Sequence, residues 1–411
     1  MFYIFKEMKT IVGNLDYAIL YAIAFVLAFL IAFFMTPLAK KIAFKVGAIA
    51  KPRKRDMHSK PIPRMGGIAI FAGFMITFLS VIWYLPIVNL KQVIGIFLGC
   101  TTIFLLGFFD DIYELPAKPK FLIQILAATI VALFGVRIDF ITIPFFGNAE
   151  QAMSFLSIPA TVIWIVAITN AVNLIDGLDG LAAGVSSIAS LCLMILSIYV
   201  GYPQGALLTA TLAGACMGFL PYNFNPASIF MGDTGSTFLG FTLGITSVMG
   251  LLKGYTVTTI FIAVLVLGLP IFDTSFAIIR RFLAGRPIMS PDRGHLHHRL
   301  VDHGYSQKQA VVTLYGISGV LGLSAIAFFN RNLKFVLIVF AMMGILFYVT
   351  VKTMSAHEKE QEHVPDHTEE TTTEQAQAST TDANQEQSQA NATDANQEQS
   401  QVNTTDANQD L

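Results

Sequence analysis

"AILYAIAFVLAFLIAFFM", Ala18 to Met35, runs for eighteen residues without a charge. About 20 apolar residues in a helix cover the hydrocarbon core of a bilayer, so the stretch reads as a membrane span. It is the first of a series. Ile68–Pro86, Val93–Phe109, Phe121–Val136, Ile158–Val172 and Leu181–Val200 repeat the pattern, as do Ala206–Leu220, Thr237–Leu252, Thr256–Phe272, Ala310–Phe329 and Phe335–Val351. Of the 411 residues, 54% are hydrophobic and only 13% charged, an excess of apolar surface that a soluble fold of this size does not need. The expectation is an all-α, polytopic membrane protein of about eleven transmembrane helices. No small-residue cleavage site follows the first span, which therefore reads as a retained anchor. Cys100, Cys192 and Cys216 fall inside apolar runs without metal-ligand spacing and read as core filler.

Charge divides the chain at about residue 353. Beyond it the sequence is acidic and repetitive: "TDANQEQSQANA" from Thr381 returns as "TDANQEQSQVNT" from Thr393. Such a segment buries too little apolar surface to offset its ordering entropy, so residues 354–411 read as a disordered cytoplasmic tail and 1–353 as the membrane body. Positive charge sets the orientation. The loop Thr36–Met65 holds nine Lys and Arg and the loop Ile279–Gln309 six, which places both loops inside, the N-terminus outside and the C-terminus in the cytoplasm.

With that topology, four polar clusters fall on one face. "FFDDIYELPAKPK" puts Asp110 and Asp111 at the end of an apolar helix, where the helix dipole disfavours adjacent carboxylates unless a cation compensates; Lys118 and Lys120 follow. "NAVNLIDGLDG" spaces Asn170, Asn173, Asp176 and Asp179 by threes, with Gly177 and Gly180 letting the backbone turn. "FMGDTGS" carries Asp233 between glycines. "SPDRGHLHHRL" supplies Arg293, His295, His297, His298 and Arg299, and the arginines favour a pyrophosphate over a zinc ion. Three of the clusters also have a plain structural reading: interfacial ion pairing for the first, helix capping for the second, a solvated basic loop for the last. The basic run "KPRKRDMHSKPIPRMGG" reads as a membrane-surface patch, with Lys60 and Arg64 also placed to reach a phosphate. Asp273 is expected to pair with a basic neighbour such as Arg280. Polar groups at the ends of spans, taken together, imply a divalent cation and a phosphorylated substrate.

In this order the four clusters resemble the polyprenyl-phosphate N-acetylhexosamine-1-phosphate transferases, over nearly everything from Lys51 to Gly304. The resemblance implies transfer of a sugar 1-phosphate from a UDP-N-acetylhexosamine to undecaprenyl phosphate, with release of UMP, at the cytoplasmic face of a bacterial cell membrane. It implies Mg²⁺, with Mn²⁺ as a substitute, held by Asp233 with Asn173 as a second contact. Asp110 and Asp111 match the catalytic acids and Lys120 the phosphate-binding lysine. Asp179 matches the residue facing uracil, with Asp176 beside it, and Arg293, His295, His297 and His298 match the loop over the nucleotide-sugar. Leu296 interrupts the run of three histidines usual in the N-acetylmuramoyl-pentapeptide branch, so the likeness is to the N-acetylglucosamine branch that primes wall teichoic acid and surface glycopolymers. The resemblance also allows a homodimer and implies membrane lipids, not nucleic acid, as surroundings.

Other readings remain open on the sequence alone. These are the pentapeptide branch itself, a two-step route through an aspartyl-phosphate, an ion-coupled transporter, and an intramembrane aspartyl protease suggested by Asp233-Thr234-Gly235. The last needs a glycine two before Gly232, where this chain has Phe230.

Overall fold

A computed structural model describes residues 2–50, 61–85, 88–138, 156–250, 257–285 and 294–330, with 334 and 341. All belong to the unit Met1–Ile345. The acidic tail, Lys60, Arg293 and nearly all of the run Phe335–Val351 lie outside the described residues.

The described chain is helical but for one small hairpin. Helix α1 (Phe2–Val46) leads into strands β1 (Ile49–Ala50) and β2 (Ile62–Pro63), antiparallel with Ile49 opposite Pro63. Then come α2 (Gly67–Val81), α3 (Leu90–Tyr113), α4 (Ala117–Leu133), α5 (Ser157–Ile175), α6 (Leu181–Tyr199) and α7 (Pro203–Asn223). The set closes with α8 (Gly232–Gly250), α9 (Val257–Val266), α10 (Gly268–Leu283), α11 (Leu296–Asp302) and α12 (Gln307–Phe329). Every expected run except Phe335–Val351 overlaps one of these helices, and Thr256–Phe272 overlaps two. By length and composition seven described helices are able to cross a membrane, or eight if the bent pair α9–α10 is one span.

That pair departs from the sequence reading, which took Thr256–Phe272 as one straight span. The helix breaks at Leu267 and bends by 89°. Pro270 lacks the N–H that would bond back to Val266 and its ring crowds the preceding turn, which is how proline ends a helix. Beyond the bend α10 exposes Phe272, Phe276, Ile279, Phe282 and Leu283.

Packing relies on small residues, as expected where lipid is as apolar as leucine. Helix α1 presents Ala24, Ala28, Ala32, Ala39 and Ala43, all fully buried, along one stripe. Facing it on α7 are Gly214 and Gly218, where an added Cβ would sit 2.1 Å from the Phe25 carbonyl oxygen and 2.2 Å from that of Phe29. Helix α8 occupies the middle, packed against α2, α3, α5, α6 and α7. Its N-terminal turn carries Asp233, so the most enclosed helix of the bundle positions the candidate site.

Candidate active site

Helix α3 ends where its two acids begin to face inward. Glu114 adopts the left-handed region (φ 52°) and reverses the chain. The Asp110 carboxylate fixes that reversal by accepting from the Leu115 N–H at 2.7 Å. The chain then re-enters a helix at Ala117, and Lys120 faces back. Its ammonium donates to Asp110 Oδ2 at 2.7 Å and to Asp233 Oδ2 at 3.2 Å. A lysine ten residues after the first acid is thus the bridge between α3 and α8.

Asp111 is engaged otherwise. Its Oδ1 accepts from the Asp233 N–H at 3.0 Å, and its Oδ2 from the Thr234 N–H at 2.9 Å and the Thr234 hydroxyl at 2.5 Å. The two N–H groups are orphan donors at the start of α8, where a carboxylate also complements the helix dipole. Gly232 makes room for it: φ is +72°, and a Cβ would lie 2.4 Å from Asp111 Oδ2. From the other side the segment after β2 clamps the same turn, with the Gly66 and Gly67 N–H groups donating to Phe230 and Met231 carbonyls at 2.9 Å and the Phe230 N–H to Pro63 at 2.8 Å.

The "NAVNLIDGLDG" stretch closes α5 against this turn. Asn173 donates to Asp233 Oδ1 at 3.0 Å and to Ser236 Oγ at 2.7 Å. Asp179 accepts at 3.0 Å from both Asn225 Nδ2 and the Ala227 N–H. Asp176, half-buried in the wall between them, has no hydrogen bond or ion pair among the described residues. Burial pushes its carboxyl up to about 8, and the charges of Asp233, Asp111 and Asp179 add to the rise. Asn170, on the same helix, turns to Gln124 at 2.7 Å and belongs to packing.

Asp110, Asp111, Lys120, Asn173, Asp176, Asp179 and Asp233 line one cavity of about 1000 Å³, together with Arg64, Glu114, Asn223, Asn225, His298, Asp302 and Gln307. Of the histidine loop, His298 reaches the cavity wall. His295 and His297 are buried behind it. Asp273 of α10 secures them, accepting from the Leu296 N–H at 2.8 Å and meeting His295 Nδ1 at 2.9 Å, while Arg280 donates to the Gly294 carbonyl at 2.9 Å. His297 packs on Gly177, where a Cβ would be 2.2 Å from Nε2. Burial holds its imidazole down at about 4, with His298 adding to the fall, so it is neutral at pH 7.

The described residues form no cage of three or more His, Cys, Asp or Glu around a point. Magnesium does not need one, since it keeps several waters and takes one or two protein ligands plus phosphates. Asp233 and Asn173, which address each other at 3.0 Å, supply that number.

The model of glycosyl transferase family 4 matches residues 93–251. The probable undecaprenyl-phosphate N-acetylglucosaminyl 1-phosphate transferase of Bacillus subtilis is 42% identical over 292 residues, 71% of this chain and 80% of that protein. The chain belongs to glycosyl transferase family 4. The decaprenyl-phosphate N-acetylglucosaminephosphotransferase of Mycolicibacterium smegmatis is 36% identical over 69% of this chain and 76% of its own length. The undecaprenyl-phosphate alpha-N-acetylglucosaminyl 1-phosphate transferase of Escherichia coli K12 is 27% identical over 67% and 75%.

For this family 4 chain, the matched residues hold the two acids of α3, Lys120, the Asn173–Asp179 stretch and Asp233. Arg64 and the histidine loop lie outside them and join the site only through the fold. Sequence reasoning passed over Glu114, Asn223, Asn225, Asp302 and Gln307. Asn225 had a signal, standing eight residues before Asp233 in "NFNPASIFMGD"; Gln307 had none beyond its place at the start of α12.

Proposed function

We propose that the chain transfers N-acetylglucosamine 1-phosphate from its UDP derivative to a polyprenyl phosphate, undecaprenyl phosphate in the first instance, releasing UMP. One observation carries the reading: Lys120 is held between Asp110 and Asp233 while Asp176 stands beside them with no hydrogen bond or ion pair among the described residues. That arrangement is short of positive charge and rich in hard oxygen, which suits a divalent cation and a pyrophosphate. The names of the three relatives support the sugar and the lipid.

Asp233 and Asn173 are the residues that would hold Mg²⁺, with Asp176 near enough to share its field. Bound there, the ion supplies neutralisation of charge on phosphate oxygens. The protein's own part is positioning, which is most of what phosphoryl transfer requires. Asp110 and Asp233 aim the Lys120 ammonium at incoming phosphate oxygens. Asp111 fixes the turn that carries Asp233 and is a positioning residue. An oxygen of the lipid phosphate attacks the β-phosphorus; the bond from that phosphorus to the oxygen bridging the α-phosphate breaks, and UMP leaves with the oxygen. No strong base is needed, because a phosphate monoester with a second pKa of about 6 is largely ionised at neutral pH. The direct route is favoured over an aspartyl-phosphate because Asp111 already accepts three hydrogen bonds and Asp110 two. Trapping a phosphorylated chain with UDP-sugar alone would sink it.

Eleven spans, with the N-terminus outside and the site at the cytoplasmic face, complete the reading, as does the bacterial plasma membrane. Support comes from the basic loops and from α3 and α5 ending where α8 begins. A cysteine introduced at Lys118 should be labelled by an impermeant thiol reagent in inverted vesicles and protected in intact cells; the reverse pattern would overturn the orientation. The reaction is tested with purified protein, Mg²⁺, polyprenyl phosphate and UDP-N-acetylglucosamine. UMP should appear only when both substrates and the cation are present, and no UMP from any UDP-sugar would defeat the assignment.

A further inference from the structure

Arg64 and Lys120 are the Lys and Arg side chains among the described cavity-lining residues. Lys120 is committed to two carboxylates. Arg64 is held more lightly. Its Nη2 donates to the Asp111 carbonyl at 3.2 Å and to Glu114 Oε1 at 2.9 Å, while the neighbouring Nε is buried without a hydrogen-bond partner among the described residues. A guanidinium presents its donors as a planar fork that matches two oxygens of a phosphate, and here one edge of the fork is half used. The backbone of Arg64 is fixed: its N–H donates to Ala48 at 3.0 Å and it bridges Phe230, three residues before Asp233. Its partner is not. The Glu114 side chain is 64% exposed against 28% for Arg64, and an ion pair that open to water contributes little stability.

We infer that Arg64 is a phosphate-binding residue of this site and that Glu114 is its resting partner, exchanged for a phosphate oxygen when substrate enters. The ligand class is a phosphate or pyrophosphate ester, supplied by the lipid acceptor or by the nucleotide-sugar. The choice between those two sources rests on the transferase reading; the presence of the phosphate site does not.

The test therefore begins with inorganic pyrophosphate and Mg²⁺ as the probe, binding being read by the thermal shift of the detergent-solubilised full chain. Arg64→Ala should weaken the apparent affinity about tenfold or more, the effect of losing one charge-assisted hydrogen bond, and Arg64→Lys should restore part of it. Glu114→Gln should change it in the opposite direction, a few-fold tighter than wild type. If the Arg64–Glu114 pair merely staples the hairpin to α3, both variants weaken binding alike, and the inference fails. It fails equally if Arg64→Ala binds as wild type does. Should Arg64→Ala not fold, Glu114→Gln alone decides: tighter binding supports exchange, and unchanged or weaker binding overturns it. Steady-state KM values then locate the source, since the substrate whose KM rises in Arg64→Lys and falls in Glu114→Gln carries the phosphate that Arg64 meets. Absence of UMP from wild type would count against the transferase reading and leave the pyrophosphate result standing.

Discussion

Two aspartates in the same turn-to-helix contact have different tasks, and their variants should separate. Asp233 points into the cavity and holds Lys120 and Asn173 there, so Asp233→Asn should cost at least about 100-fold in turnover, while its amide oxygen still accepts from those donors and the unfolding midpoint falls less than in Asp111→Ala. Asp111 spends its carboxylate on three donors at the start of α8. Asp111→Ala should lose turnover and also about 1–3 kcal/mol of stability, the cost of leaving buried donors unmet. Equal midpoints for the two variants would contradict the division. His297 gives a pH signature. Its folded pKa, about 4, lies below the ordinary 6.5, so the folded state binds its proton less readily than the unfolded chain. Its contribution is present above about pH 6.5 and is lost as pH falls toward 4, on the order of 3 kcal/mol at the limit. Thermal midpoints across that window should fall less steeply in His297→Gln than in wild type.

At the scale of elements, close helix approach and one clamp carry the account. Gly214→Val or Gly218→Val drives a side chain into the α1 backbone and should abolish folded yield. Gly316→Ala on α12, where a Cβ meets nothing within 4 Å, should be neutral or stabilising by about 0.5–1 kcal/mol. Fluorescence-detected size-exclusion of wild type and the three variants checks this, and a well-folded Gly214→Val would contradict the packing. Asp273→Asn should loosen α10's hold on the histidine segment, lowering kcat/KM for the nucleotide-sugar about tenfold while leaving KM for the lipid phosphate unchanged; equal losses for both substrates would make the clamp a general structural one. These elements differ in how legible they were. Apolar runs such as Ala18–Met35 declare themselves because a span is a local property of composition. The bend before Gly268 was hidden by its own hydrophobicity, although Pro270 marked it. The contact of Asp111 with Thr234 spans 123 residues, and the choice of His295 as Asp273's partner depends on that bend. Neither follows from spacing, so the acids could be nominated from sequence but not assigned their separate tasks.

For the whole molecule, the fold gathers the ends of α3, α5 and α7 and the starts of α8 and α11 at one cavity, with α8 fixed from several sides. That explains how clusters spread from Arg64 to Gln307 meet at one cavity, and why a family match over residues 93–251 leaves out part of its lining. It also places the acids at helix ends rather than midway along a span, where an ion-coupled transporter would bind its cargo. The tail beyond residue 353 has no assigned part, and removing residues 354–411 should leave turnover unchanged. In the proposed reaction the bond broken joins the two phosphates of the nucleotide-sugar. UDP-N-acetylglucosamine labelled with ³²P in the β-phosphate, incubated with the purified chain, Mg²⁺ and undecaprenyl phosphate, follows that bond directly. Label is expected in the lipid fraction with unlabelled UMP in equal amount; label retained in a released nucleotide, or set free as inorganic phosphate, would overturn the proposed transfer.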